Sequence, residues 1–283
     1  MSAPEIFDRR RRRARRDRAA QAFAAHDFLY ARMADELVDR LDAVQRSFAS
    51  ALDLGCLDGR IGRALTPRGV ACVSADPGFR FARAADGVQC DEDRLPFADG
   101  SFDLVTAAGG LDSVNDLPGA LLLIRRALRP DGLFMGAMIG AGSLPRLRAA
   151  LLASDPDRAV ARIHPQVDVR SAGDLLARAG FALPVADSER VTVRYSSLFA
   201  LLADLRGAGA SNVLAGDVLP LGRATLARAA EAFASFADPD GKTAETIEIV
   251  HLLGWAPAPD QPKPARRGSA TASLADALRP KRD

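Results

Sequence analysis

The chain has 283 residues, 48% of them hydrophobic, enough to bury one sizeable core with elaborations rather than two independent ones. Its 38 basic and 36 acidic residues nearly cancel, which argues against a molecule drawn as a whole to nucleic acid or membrane, and no DNA partner is expected. Three cysteines without a CxxC pair (Cys56, Cys72, Cys90) suggest neither a zinc site nor a disulfide framework, and no metal is expected. With no apolar run of membrane-spanning length and arginines where a secretory signal needs apolar residues, the expectation is a soluble, cytoplasmic protein with no membrane span.

In chain order, the first segment carries Arg9 to Arg13 in a run, then Arg15, Arg16 and Arg18. A solvated basic helix start and an arm that docks an acidic partner both fit such a charge block, and neither requires the arm for folding. From Phe23 to Phe48, apolar residues at three- and four-residue intervals (Met33, Leu37, Leu41, Val44) predict an amphipathic helix that packs on the adjoining domain. Short apolar runs then alternate with helical stretches, as βα units require. Strands are predicted at 50–54, 70–75, 87–90, 102–107 and 132–138, with a strong helix at 117–128 stopped by Arg129-Pro130-Asp131-Gly132. Next come a helix at 172–179 and a strand at 190–195. Helices at 197–206 and 222–236 form an insertion before a final strand at 246–255, and beyond Pro257 the composition reads as a tail with a short helix at 274–278. The resulting division is a basic arm and helix over 1–48, an α/β domain over 49–256 with its helical insertion at 197–236, and a tail over 257–283.

The passage Asp53-Leu54-Gly55-Cys56-Leu57-Asp58-Gly59 ends an apolar strand in a glycine turn that runs into a helix, which frees backbone N–H groups and lets a ligand approach the main chain. Asp76 stands at the end of the next strand, where a carboxylate can accept both ribose hydroxyls of a nucleoside. That spacing alone suits S-adenosylmethionine (SAM) or a dinucleotide. A dinucleotide fingerprint needs G-x-G-x-x-G, whereas Leu57 leaves G-x-x-x-G, which disfavours a pyrophosphate cradle.

The acid-glycine turn resembles motif I of the class I methyltransferases, and Asp91-Glu92-Asp93-Arg94-Leu95-Pro96-Phe97 followed by Phe102-Asp103-Leu104-Val105 resembles a later passage of the same superfamily. The resemblance implies an α/β fold with a Rossmann-like, seven-stranded, mostly parallel sheet whose last strand is antiparallel, preceded by an N-terminal helix and carrying a helical insertion. It implies SAM as cofactor, held by Asp53, Gly55, Cys56, Leu57, Gly59, Asp76, Pro77, Asp91, Glu92 and Ala108, with Asp76 on the ribose and Asp91 on the adenine amino group. Ile6-Phe7-Asp8-Arg9, Val114-Asn115-Asp116-Leu117-Pro118, Arg129 to Phe134 and the tail Arg267-Gly268-Ser269-Ala270 are similar to bacterial relatives of mitochondrial complex I assembly factor 5. That family is associated with arginine hydroxylation of a complex I subunit, and the biotin-pathway methyltransferase acting on a malonyl carrier protein shares the domain pattern. The implied substrate is a protein or an acyl-carrier-type protein, including a respiratory complex subunit.

Three departures stand out. Leu57 replaces a glycine and is expected to lie near the methionine end of SAM. Asp112-Ser113 stand where relatives carry His-Trp, and Gly140-Ala141-Gly142-Ser143-Leu144 lacks an acid they carry. His26, His164 and His251 are scattered and read as structural. No catalytic residue emerges. An active SAM enzyme, a SAM-binding assembly factor without turnover and, more distantly, an NAD oxidoreductase stay open, with the helices at 197–236 expected to cover the acceptor side.

Overall fold

A computed structural model describes residues 5–155, 160–216, 220–259 and 261. Seven strands form one sheet: β1 (Ser50–Leu54), β2 (Ala71–Asp76), β3 (Val88–Gln89), β4 (Phe102–Ala108), β5 (Leu128–Ile139), β6 (Ala182–Tyr195) and β7 (Thr243–Trp255). Their order is β3-β2-β1-β4-β5-β7-β6, and β7 runs antiparallel to both of its neighbours. The expected Rossmann-like topology is therefore present, with the antiparallel strand last in sequence and not at the sheet edge.

Pleating sends successive side chains to opposite faces. Leu104, Leu133 and Met135 enter one buried cluster, while Leu52, Leu54, Val105 and Phe134 enter the other. On the first face lie α2 (Phe28–Asp42), α3 (Arg60–Leu65), α6 (Pro145–Ser154), α8 (Leu198–Gly207) and α9 (Arg223–Ala234), and on the second α5 (Leu117–Ala127) and α7 (Val169–Arg178). The amphipathic stripe of α2 is as predicted, with Met33, Leu37 and Leu41 buried. Helix starts obey local chemistry: Asp8, Asp116, Asp168 and Ser197 each accept a backbone N–H of the first turn, and Pro118 and Pro145 sit where a missing N–H costs nothing.

Four elements exceed expectation, β5 and β7 by starting at Leu128 and Thr243 rather than at 132 and 246, and β6 and α6 by more. The strand predicted at 190–195 begins at Ala182, because β6 is an edge strand: Leu183 and Val185 are half exposed, and Pro184 is tolerated where no outer neighbour needs its N–H. Helix α6 is absent from the predicted elements; its apolar Leu147, Ala150 and Leu151 stand behind a glycine-rich passage that reads as a loop after β5. The tail helix at 274–278 lies outside the described residues. Among the described residues no helix is long and apolar enough to cross a membrane.

The first helix, α1 (Arg9–Ala19), does not stand apart from the domain. Phe7 is buried and its backbone N–H and C=O both bond the Asn115 side chain, at 2.7 and 3.0 Å. Neither the solvated nor the free docking-arm reading survives for its central residues, since Arg12 and Arg16 are each only 5% exposed. Among its arginines, Arg10 and Arg18 are the exposed ones.

Candidate cofactor cleft

The strand order reverses between β1 and β4, and open α/β sheets bind ligands outside the carboxyl ends of strands at such a point. The β1–α3 turn is built there. Gly55 and Gly59 take left-handed φ values of 72° and 74°, and the N–H groups of Gly55 and Cys56 both donate to the Ala75 carbonyl, at 2.7 and 3.0 Å. Leu57 also takes a left-handed φ, 49°, at a strain of roughly 1–3 kcal/mol for a residue with a Cβ. Its side chain packs in a buried cluster with Phe23 and Phe81, whose rings meet edge to face at 5.2 Å. The Leu57 N–H donates to Asp76 Oδ2 at 3.0 Å, while its side chain is anchored in this aromatic pocket.

Asp76, completely buried at the end of β2, accepts four hydrogen bonds. Arg16 Nε and the Gly78 N–H reach Oδ1 at 2.9 and 2.7 Å, and Arg16 Nη2 and the Leu57 N–H reach Oδ2 at 2.5 and 3.0 Å. A carboxylate offers about four lone-pair positions, so this one is saturated. Arg12 makes the same two-pronged contact with Glu92, at 2.6 and 2.8 Å, and also donates to the Gly110 carbonyl and the Ser113 hydroxyl. Arg13 reaches Asp91 at 2.6 Å and Arg9 forks onto Asp93 at 2.6 Å on both oxygens. Burial by itself lowers the Arg12 and Arg16 guanidiniums, but Glu92 and Asp76 raise both past the ordinary arginine value, so they remain charged.

Arg9, Arg12, Arg13 and Arg16 recur at i, i+3, i+4 and i+7, which is one face of a helix. Four guanidiniums on that face meet four carboxylates that end β2 and come after β3. Taken as an undivided block, the charges of the arm conceal this role; their helical spacing is the signal that reveals it.

Of the other predicted residues, Ala108 ends β4 and precedes Gly109, on which the Tyr30 ring lies so closely that a Cβ there would sit 2.0 Å from it. Glu92 Oε1 would lie 2.8 Å from a Cβ at Gly110 and 3.6 Å from one at Gly55, so Gly55, Glu92 and Gly110 converge. Pro77 offers its carbonyl to Gln89. Asp53 is buried beside Thr106, 3.4 Å away, with Oδ2 unpartnered, and burial pushes its carboxyl up to about 7, while a Cβ at Gly59 would meet Ala85 and Arg63 at 3.5 Å. The free thiols of Cys56, Cys72 and Cys90 are all pushed up by burial, Cys72 and Cys90 to about 12, which makes them unreactive near neutrality.

Two cavities continue the cleft. A small one of about 30 Å³ is lined by Arg12, Arg16, Tyr30, Gly109, Asp112 and His164. A larger one of about 380 Å³ shares Tyr30, Asp112 and His164 with it and extends between α2, α6 and α8, among Leu29, Leu147 and Leu201. On the shared wall, burial raises the Asp112 carboxyl to about 6 and lowers His164 to about 4; His164 Nε2, held neutral, accepts the Val213 N–H at 3.0 Å.

A family profile described as a methyltransferase domain matches residues 23–184, more than half of the chain. The chain belongs to the methyltransferase-domain family. Its fold is that of the SAM-dependent class I enzymes, whose cofactor is S-adenosylmethionine. It is 35% identical to the arginine-hydroxylase NDUFAF5, mitochondrial, of Danio rerio, across 96% of this chain and 89% of that one. It is 33% identical to the malonyl-[acyl-carrier protein] O-methyltransferase of Laribacter hongkongensis, across 89% of this chain and 90% of that one. The phosphoethanolamine N-methyltransferase 2 of Haemonchus contortus, solved with S-adenosylhomocysteine, superposes at a TM-score of 0.55 and 14% identity over 87% of this chain and 60% of that one. In this member of the family, the acids at the strand ends are held by α1.

Proposed function

We propose that this chain is a methyltransferase-type enzyme that uses SAM on a substrate presented by a protein or an acyl-carrier-type partner, and that it works in the cytoplasm. The observation that carries this reading is the shared wall: Tyr30, Asp112 and His164 separate a cradle of buried acids at the strand ends from a cavity large enough for an acceptor group. Asp76 would take the ribose, Asp91 and Glu92 the adenine side, and the Gly55–Gly59 turn the methionine end. Bound there, SAM supplies a methyl group on a sulfonium.

The chain's own contribution is alignment, which can lower a barrier by roughly 7–11 kcal/mol when the acceptor is held in line. Asp112, on the wall between the two spaces, is ionised above about pH 6 and is placed to accept a proton from an acceptor that must lose one. The same carboxylates that would hold the nucleoside hold guanidiniums, so the cofactor must displace arginine forks to enter.

A second reading has an observation of its own. The cleft's acids bind guanidinium groups in two-pronged geometry, and several of the relatives are named arginine hydroxylases, which favours an arginine side chain of a partner protein as the acceptor. Mass spectrometry of candidate protein partners and malonyl carrier protein tests both, after incubation with the protein and SAM and, in a parallel arm, with dioxygen and a reductant added. A mass gain of one CH2 supports methyl transfer, a gain of one oxygen supports the second reading, and an unchanged mass in every candidate favours a SAM-binding assembly factor.

A further inference from the structure

The larger cavity is apolar along most of its wall, with Leu29, Leu147, Leu151, Leu201 and Leu205 among its lining, and its 380 Å³ falls in the range of small-molecule pockets. Its rim is different. Arg15 from α1 and Arg206 from α8 both line it, and among the described residues neither makes an ion pair or a side-chain hydrogen bond, in contrast to Arg9, Arg11, Arg12, Arg13 and Arg16 of α1. Burial, with repulsion from Arg18, Arg11 and Arg206, depresses the Arg15 guanidinium, and neither Arg15 nor Arg206 has a carboxylate paired with it among the described residues. Two carboxylates line the same cavity: Asp204, engaged by His26 Nδ1 at 2.7 Å, and Asp112, on the wall shared with the smaller cavity.

We propose that this cavity binds an aliphatic acid: a hydrocarbon chain among the leucines beneath α8, and an anionic head between Arg15 and Arg206. Charge complementarity decides the head. Two unpaired guanidiniums select an anion over a neutral or cationic group, and paired guanidinium–carboxylate contacts are the strong, directional kind. The apolar wall decides the body, because burying hydrocarbon is favourable there while a polar chain would lose its water without replacement. This inference rests on reading the cavity as the acceptor side of the proposed enzyme, but binding there needs neither SAM nor turnover.

The test is calorimetric titration of the full chain, without SAM, with decanoate, decanol and decylammonium, each below its micelle concentration. Decanoate is expected to bind saturably at one site and at least tenfold more tightly than the other two. Arg15→Gln/Arg206→Gln should weaken decanoate by at least tenfold and leave decanol unchanged, with the melting temperature measured alongside to show that the variant is folded. Neither residue touches the cofactor acids, so a SAM titration of the same variant should match the parent. Equal binding of all three probes, or decanoate binding indifferent to the double substitution, would overturn the anionic head. Absence of saturable decanoate binding in a chain that binds SAM would overturn the inference and leave the proposed function standing. Decanoate binding in a chain that does not bind SAM would do the reverse.

Discussion

At the scale of single residues, Asp76 decides the most. Its position is legible in the sequence because a carboxylate at the end of the second strand comes after a glycine turn by a fixed spacing; its saturation is not, because the arginine that completes it lies 60 residues earlier in the chain. Ribose hydroxyls cannot be added to four existing bonds, so Arg16→Gln, which removes the guanidinium bond to each Asp76 oxygen while keeping the Leu57 and Gly78 donors, should raise SAM affinity by about tenfold, or roughly 1.4 kcal/mol. Asp76→Ala should lower it by about 1.5–3 kcal/mol, the worth of hydrogen bonds to a charged group. Calorimetry on both variants checks the pair. Asp53 makes a separate prediction. Its folded-state value, about 7, lies above the unfolded one, so the native state holds the proton more tightly and stability falls as pH rises from about 4 through about 7. Asp53→Asn should therefore melt higher than the parent at pH 8, with the difference shrinking toward pH 5; a constant offset across that range would mean that Asp53 does not titrate there.

At the scale of elements, α1 is the one whose role changes most between sequence and structure. A run of arginines reads as solvent-facing until its helical spacing is set against the acids Asp91-Glu92-Asp93 and Asp76. Removing one partner of a buried pair costs about 3–5 kcal/mol, because the other charge stays buried. Deleting residues 1–20 should accordingly lower the melting temperature by roughly 10 °C or more, the opposite of what a free docking arm would give. Differential scanning calorimetry decides it. Helix α8 carries the other element-scale prediction. Its last residue, Gly207, leaves no room for a Cβ, which would fall 2.0 Å from the His26 ring, so Gly207→Ala should push His26 off Asp204 and loosen the cavity roof. Faster hydrogen exchange across 198–210 would register that, and unchanged exchange would count against it. The insertion at 197–236 is visible in sequence as two helices with glycines between them, and the cavity lined by α8 and the connection after it is not, because it is closed by α2 and α6 from distant parts of the chain.

At the scale of the whole molecule, near-neutral net charge conceals a local arrangement in which four guanidiniums face four carboxylates across one cleft. The doubly wound sheet and its switch point are readable because βα alternation and the glycine turn are local patterns. The first half of edge strand β6, residues 182–189, and helix α6 are not, since the exposed half of an edge strand loses its alternation to solvent and a short helix after a glycine-rich loop has little periodicity to display. If the cradle at the strand ends is a SAM site whose acids α1 occupies, freeing those acids must strengthen binding. Titration of SAM into the parent and into Arg12→Gln/Arg16→Gln measures this: one-site binding is expected in both, tighter in the double variant and weakened when Asp76→Ala is added. No binding to either protein, with both folded, would contradict it.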